Sequence, residues 1–89
     1  MDKKYNITYT RKSLKFLEKL SKKDKDLTNT IIDTIEYIAN NPYDSKKLKG
    51  QLKGLNRIQV GKYRVIFKIY KKELVVLIVD IGRRANVYS

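Results

Sequence analysis

Four arginines and a late tyrosine are the residues of this sequence best suited to chemistry. Arg57, Arg64, Arg83 and Arg84 all follow residue 56, and Tyr88 is the penultimate residue of the 89. Lysine otherwise outnumbers arginine 16 to 5. Arginine presents a planar, permanently charged fork that matches a phosphate group. The pattern therefore predicts phosphate recognition by the C-terminal third of the chain.

The composition excludes several other kinds of chemistry. The sequence has no cysteine and no histidine, so it lacks thiolate nucleophiles, the commonest metal ligand and the commonest general base. We therefore expect no metal site and no cofactor. No apolar run approaches the roughly 20 residues of a membrane span, and the N-terminal residues do not resemble a signal peptide. These features favour a soluble cytoplasmic protein.

The positive charge is concentrated in the second half of the chain. The net charge is +12, and residues 46–89 carry 12 basic residues against two acidic ones, Glu73 and Asp80. Residues 1–45 carry 9 basic and 7 acidic residues. This asymmetry indicates a surface that faces a polyanion. The alternative is a lysine-rich surface that is simply solvated.

The N-terminal half predicts a strand followed by a helix within a single domain, residues 1–89. Lys4–Tyr9 alternates polar and apolar residues, as a half-buried strand does. Thr10 is a suitable helix N-cap. The apolar residues of RKSLKFLEKL cover one side of a helix over Arg11–Leu20, and the lysines cover the other.

A second helix is predicted from Lys22 or Lys23 to about Ala39. Its apolar residues recur at spacings of 4, 4 and 3, namely Leu27, Ile31, Ile35 and Ile38. An Asn-Asn-Pro sequence ending at Pro42 stops it.

Two connections are predicted around this helix. Ser21 followed by Asp24 resembles a capping box that ends the first helix and begins the second. The basic segment Lys46–Gly54 contains two glycines and shows neither helical nor strand periodicity, so we predict a loop.

The remaining residues predict three strands, Leu55–Val60, Tyr63–Tyr70 and Leu74–Ile81. Short turns at Gly61-Lys62 and Lys71-Lys72 make them antiparallel neighbours. The predicted fold is α+β, a small antiparallel sheet with an N-terminal strand, a two-helix hairpin and a three-stranded meander, with both helices on one face.

Alternation within these strands predicts which side chains face the helices. Arg57 and Gln59 lie opposite to the apolar residues of their strand, and Arg64 can share their face. The residues predicted to face the helices are Ile58, Val60, Tyr63, Val65, Phe67, Ile69, Val75, Leu77, Val79 and Ile81. The face without helices, called the open face below, therefore carries both arginines.

The last strand leaves an apolar row on the open face. Leu74, Val76 and Ile78, with Asp80, are predicted to point away from the helices. An uncovered apolar row beside a basic patch favours a partner surface, and an amphipathic helix of another chain would suit it. The alternatives are burial under the C-terminal segment or in a homodimer.

The runs RIQVGKYRVIFKI and VVLIVDIGRRANVY resemble the RelE and ParE superfamily of toxins from toxin–antitoxin pairs. A basic strand, a glycine turn, a Tyr-Arg pair and a late Gly-x-Arg followed by Val-Tyr recur in that superfamily, as does the Asn-Pro-Tyr after the second helix. The resemblance covers nearly the whole chain and implies the fold of that superfamily. Within the superfamily, the chain most resembles RelE.

By this resemblance, four residues would form a metal-independent endoribonuclease site: Arg57, Arg64, Arg84 and Tyr88. The ribose 2′-hydroxyl is the nucleophile, the arginines stabilise the charged phosphorane, and Tyr88 is the candidate base. Tyr88 could instead stack on a base or pack over the open face. The residues predicted to bind RNA or the ribosome are Lys46, Lys49, Lys53, Lys62 and Arg83, and Arg83 is the neighbour that could exchange roles with Arg84.

The resemblance also implies partners. A ribosome-dependent toxin cleaves translated message in the A site and is neutralised by an acidic, helical, RelB-like antitoxin. The residues predicted to contact the antitoxin are Leu74, Val76 and Ile78, in a heteromeric complex that could be a heterotetramer.

Two departures keep other functions open. Gln59 stands where some members carry a second basic residue, and the histidine that other relatives use near the terminus is absent. The alternatives are a ParE-like inhibitor of DNA gyrase on the same fold, or an inactive basic module that binds RNA without cutting it.

Overall fold

The structure, a computed structural model, describes residues 4–44, 46–47 and 54–83. Two helices and five strands occur in this part of the chain. In order they are β1 (Asn6–Tyr9), α1 (Arg11–Lys23), α2 (Lys25–Asn40), β2 (Lys46–Lys47), β3 (Asn56–Val60), β4 (Tyr63–Tyr70) and β5 (Val75–Arg83). Within these residues, no helix has the length and apolar character needed to cross a membrane.

The predicted α+β fold is confirmed, but its sheet is mixed and not purely antiparallel. The strand order is β1-β5-β4-β3-β2, and β1 runs parallel to β5 while the other neighbours are antiparallel. The alternation in Lys4–Tyr9 predicts a strand without specifying its partner, which tertiary packing selects. The segment predicted as a loop contains the two-residue strand β2, whose backbone pairs with β3.

A single residue, Asp24, separates the two helices. It is the C-cap of α1 and the N-cap of α2, and its carboxylate accepts a hydrogen bond from the Leu27 amide at 3.0 Å. The predicted capping box is wrong about Ser21, which lies within α1 and donates to the Glu18 carbonyl oxygen at 2.7 Å. Helix α1 therefore extends to Lys23, because Asp24 alone supplies the cap. The predicted cap at Thr10 is confirmed, since its side chain accepts from the Ser13 amide.

Both helices pack on one face of the sheet, and the core lies between the two layers. Each of its fully buried isoleucines contributes about 1.5–3 kcal/mol to folding. The core residues are Tyr5, Leu17, Ile31, Ile35, Ile38, Val60, Val65, Phe67, Val76, Ile78 and Ile81. The predicted faces of β3 and β4 agree with this core, which Ile58, Tyr63 and Ile69 also contact.

The predicted facing of β5 is wrong over most of its length. Val76 and Ile78 are completely buried in the core, and Leu74 packs against it. Val75, Leu77 and Val79 are only half-buried. Ile81 nevertheless faces the core as predicted. Nearly every residue of this strand is apolar. Polar and apolar residues therefore do not alternate along it, and the sequence does not indicate which side chains face the helices.

A β-bulge explains how the core-facing positions of β5 change from even to odd numbers. Phe67 pairs with Ile78, whereas Ile66 pairs with Asp80, so Val79 is an extra residue without an opposite partner on β4. A bulge of this kind reverses the alternation beyond it. Ile81 consequently faces the same side as Val76 and Ile78.

The first turn of α1 binds the backbone of β5 at the bulge. The Thr10 hydroxyl donates to the Val79 carbonyl oxygen at 2.8 Å, and the Ser13 hydroxyl lies 2.9 Å from the Ile78 carbonyl oxygen. Strand β1 pairs with β5 only as far as Ile78. The helix thus supplies hydrogen bonds to β5 where β1 ends.

Candidate functional site

Arg57 and Arg64 lie on the open face, as the sequence predicts. Arg57 pairs with Ile66 and Gln59 pairs with Arg64, and directly paired residues of antiparallel strands point to the same side. The two arginines are diagonal neighbours in this register, at about 7–8 Å between backbone positions. Two cations from separate strands are therefore close enough to act on one phosphate group.

The two arginines differ in exposure. Arg57 is half-buried, whereas Arg64 is only 6% exposed and is held inside the fold. Gln59, which pairs with Arg64 from β3, is exposed. Its side-chain amide donates to the Gly61 carbonyl oxygen at 2.9 Å. Gly61 has a φ of 59°, a conformation that glycine adopts without strain, so this turn brings β3 directly back into β4. Arg57 is the arginine of this pair more accessible to a substrate.

Arg83 lies on the helix side of the sheet. It pairs with Tyr63, and its guanidinium carbon is 5.9 Å from the centre of the Tyr63 ring, a cation–π contact. Its neighbour Gly82 pairs with Arg64 instead. Because of the bulge at Val79, Arg83 does not share the open face with Arg57, so its predicted exchange of roles with Arg84 finds no support in the position of Arg83.

Several predicted site residues lie outside the described part of the chain. These are Lys49, Lys53, Arg84 and Tyr88. Lys46 is described only through its backbone, which pairs with Arg57. Lys62 is exposed in the β3–β4 turn.

Lys68 is a cation of the open face that the predicted site omitted. It is exposed, and its Nζ lies 5.2 Å from the centre of the Tyr70 ring. Lys68 is four residues after Arg64 on β4, and because side chains alternate along a strand, the sequence already indicated that both lie on the open face. The open face also contains Ile66, which is completely buried.

The predicted antitoxin-contacting residues do not form an exposed row. Val76 and Ile78 are 0% exposed and belong to the core under the helices. Leu74 packs against that core and has a φ of 55° at the end of the turn before β5. These three side chains therefore do not present the predicted surface to a partner.

Besides Tyr5, whose pKa is raised by burial, two tyrosines of the described part have raised pKa values. A hydrogen bond of 2.6 Å from the Tyr37 hydroxyl to the Asp44 carboxylate raises the pKa of Tyr37. Burial raises the pKa of Tyr9, and the nearby Glu36 carboxylate raises it further. Both phenols are therefore poorer candidates for a general base than a free phenol, whose pKa is about 10.

Residues 7–88 match the model of a protein family described as the ParE toxin of the type II toxin–antitoxin system parDE. This chain belongs to that toxin family. The toxin is 32% identical over 76 residues to "Putative toxin RelE4" of Methanocaldococcus jannaschii, covering 84% of this chain and 81% of the relative. It is thus a type II toxin of the RelE/ParE superfamily.

Solved structures share the fold of this toxin. The toxin–antitoxin complex RelBE2 from Mycobacterium tuberculosis matches with a TM-score of 0.80 and 21% identity, over 97% of this chain and 100% of that one. The intact RelBE complex of Escherichia coli matches with a TM-score of 0.75 and 18% identity, over 89% and 95% of the two chains. In both of these structures the toxin is in complex with an antitoxin.

Proposed function

We propose that this toxin is a ribosome-dependent endoribonuclease that cleaves translated messenger RNA in the A site. The observation that supports this best is that Arg57 of β3 and Arg64 of β4 are diagonal neighbours on the open face. Neither strand, 56–60 or 63–70, contains an acidic residue. A phosphate approaching these two strands meets two guanidinium groups and no carboxylate from either strand. Asp80 of β5 pairs with Ile66 and so lies on the same side, but it is buried and its carboxylate is 3.2 Å from Lys12 Nζ.

The reaction needs no nucleophile from the protein, since the 2′-hydroxyl of the RNA attacks the adjacent phosphate. This attack forms a 2′,3′-cyclic phosphate and breaks the bond from phosphorus to the 5′-oxygen of the next nucleotide, and that oxygen takes up a proton from water. The half-buried Arg57 is the residue proposed to contact the phosphorane and stabilise its charge. Arg64 acts from inside the fold, where the lower dielectric strengthens its field at the same phosphate. Tyr88 is proposed as the base and Arg84 as a further contact to the phosphate, both from the resemblance alone.

Lysines around the open face are proposed to hold the RNA backbone. Lys62 and Lys68 are exposed there, and Lys46, Lys49 and Lys53 would extend the contact along the basic segment. Such contacts supply affinity without reading sequence. The proposed site of action is the cytoplasm, where ribosomes translate, and the proposed inhibitor is an acidic, helical antitoxin in a heteromeric complex.

Cleavage by an Arg57→Ala variant tests this function. Purified toxin is added to a reconstituted translation system, and primer extension on the translated message measures the rate of cleavage. We expect a loss of about 10²–10³-fold, as for removal of one donor to a developing anion. Arg11→Ala is the matched control because Arg11 is exposed at the start of α1, on another part of the fold. Full activity of Arg57→Ala would exclude the proposed role.

Inhibition of DNA gyrase is the second candidate function. Two observations favour it: the matching family model is that of ParE toxins, and Gln59 occupies the exposed position beside Arg64 where a basic residue would aid RNA cleavage. A gyrase inhibitor would leave translated messages intact and produce cleaved DNA in the presence of gyrase. Binding of RNA with neither activity would identify an inactive basic module.

A further inference from the structure

Asp80 is the one acidic residue among the strands of the described chain, and it lies beside the proposed phosphate site. It pairs with Ile66, while Gly82 pairs with Arg64, so Asp80 and Arg64 are diagonal neighbours on one side of the sheet. Diagonal neighbours are about 7–8 Å apart, within reach of long side chains. A carboxylate that turned toward Arg64 would therefore cancel part of the charge that a phosphate meets there.

Both oxygens of the Asp80 carboxylate are bonded elsewhere. One accepts a hydrogen bond from the Ile81 amide at 2.9 Å, and the other lies 3.2 Å from Lys12 Nζ. The Asp80 side chain is only 8% exposed, whereas that of Lys12 is 74% exposed. A carboxylate is costly to bury without a countercharge. The Lys12 ammonium supplies that countercharge and, with the Ile81 amide, fixes the direction of the carboxylate.

The fold brings Lys12 to this point from the first turn of α1. Strand β1 pairs with β5 only as far as Ile78, so the edge of β5 beyond that residue is left to the helix. The Thr10 and Ser13 hydroxyls hold this first turn on the β5 backbone. A cation is unfavourable there because the helix dipole is positive at its N-terminus, and α1 has no acidic residue in its first turn. Helix stability therefore does not explain Lys12, whereas its contact with Asp80 does.

We propose that Lys12 is a positioning residue of the phosphate site on the open face. It holds the Asp80 carboxylate toward α1, and it thereby keeps that negative charge from turning to Arg64 and weakening the field at the phosphate. Lys12 acts through Asp80 and needs no contact with the RNA. This inference rests on the proposed function, because it concerns the charge of the same site.

Removal of the Lys12 ammonium tests the proposal. Primer extension in the reconstituted translation system measures message cleavage by Lys12→Ala, and we expect a rate roughly tenfold below that of the unaltered toxin. Lys12→Arg keeps a cation within reach of Asp80 and should retain most of the rate. Lys15→Ala is the matched control, since Lys15 is also exposed on α1 and carries the same charge. Its rate should stay within about twofold of that of the unaltered toxin. Equal rates for Lys12→Ala and Lys15→Ala would overturn the proposal.

The charge of Asp80 separates this role from a direct contact between Lys12 and RNA. Asp80→Asn is introduced alone and together with Lys12→Ala. Because Lys12 acts through the carboxylate, we expect the double variant to cleave at the same rate as Asp80→Asn. A loss that persists in the double variant would overturn the proposal and assign Lys12 to the RNA. Urea denaturation of each variant first sets a temperature at which all of them remain folded, so that differences in stability do not enter the comparison.

RNA affinity distinguishes failure of this inference from failure of the proposed function. A toxin that leaves translated message intact would contradict the nuclease function alone. The same variants are therefore also compared by fluorescence anisotropy with a labelled single-stranded RNA. We expect Lys12→Ala to bind roughly threefold more weakly, and Asp80→Asn to remove that difference. Equal affinities of Lys12→Ala and the unaltered toxin would overturn the inference whether or not the toxin cleaves message.

Discussion

At the scale of single residues, Gln59 is the most informative position of the open face. It pairs directly with Arg64 on β4 and lies two residues from Arg57 on β3, yet it is exposed and uncharged. Its side-chain amide donates to the nearby Gly61 carbonyl oxygen. A basic side chain here would stand beside both arginines without requiring burial of a new charge.

Replacing Gln59 with lysine should therefore increase RNA cleavage. We expect roughly a tenfold faster reaction, because a third cation would stabilise the same developing charge. The lost hydrogen bond is exposed and costs about 0.5 kcal/mol. Thr8→Lys adds the same charge at an exposed position of β1 and should leave the rate unchanged. Primer extension in the translation system gives both rates, and no increase for Gln59→Lys would argue that charge at this position is not limiting.

At the scale of secondary-structure elements, the contact between the first turn of α1 and β5 holds the helix on the sheet. Ser13 is completely buried, and its hydroxyl lies within 3.1 Å of the Thr10 hydroxyl, the Thr10 carbonyl oxygen and the Ile78 carbonyl oxygen. This contact joins the start of the helix to the strand at its bulge. Arg83 lies beyond this bulge, paired with Tyr63.

Ser13→Ala should destabilise the fold by about 1–3 kcal/mol, since it leaves a buried carbonyl oxygen without this donor. Ser21→Ala is the matched control on the same helix, because Ser21 is exposed and its hydroxyl donates to the Glu18 carbonyl oxygen of its own helix. The control should change the free energy of unfolding by less than about 0.5 kcal/mol. Urea denaturation of the two variants measures the difference. Equal stabilities would show that the buried contact contributes nothing.

The facing of β5 gives a second prediction at this scale. Ile78→Ala should reduce the free energy of unfolding by about 2–5 kcal/mol, because it opens a cavity in the core. The adjacent Leu77 is half-buried on the opposite side, so Leu77→Ala should cost clearly less. The same denaturation experiment compares them. The reverse order of stabilities would support the facing that alternation alone predicts.

At the scale of the whole molecule, the toxin carries a large excess of positive charge. The net charge of +12 favours association with a polyanion over a wide surface. The open face carries Arg57, Arg64 and Lys68.

The affinity for single-stranded RNA should fall steeply with salt. Each phosphate contact contributes about −0.7 to the slope of log K against log salt concentration, so four to six contacts predict a slope of roughly −3 to −4. Fluorescence anisotropy with a labelled 20-nucleotide RNA between 50 and 300 mM KCl, about the usual working range, gives this slope. Lys68→Ala should reduce its magnitude by about 0.7, while Lys22→Ala on the helix side should not. A slope near zero would contradict phosphate binding.

The amino-acid sequence by itself determined the order of the main elements, their bounds to within about three residues and the facing of β3 and β4. Helix caps and the alternation of polar with apolar residues are local signals, and Thr10, Arg57 and Arg64 lie in segments where those signals are strong. The charge asymmetry and the family resemblance were also visible in the sequence.

Only the tertiary structure decided the direction of β1, the facing of β5, the burial of Arg64 and the side on which Arg83 lies. The strand β5 is apolar at nearly every position, so its alternation carries no information, and a bulge at Val79 then reverses the facing of everything beyond it. That bulge coincides with hydrogen bonds from Thr10 and Ser13, residues more than 60 positions away in the chain. Contacts of such separation are made by packing and cannot be derived from local pattern.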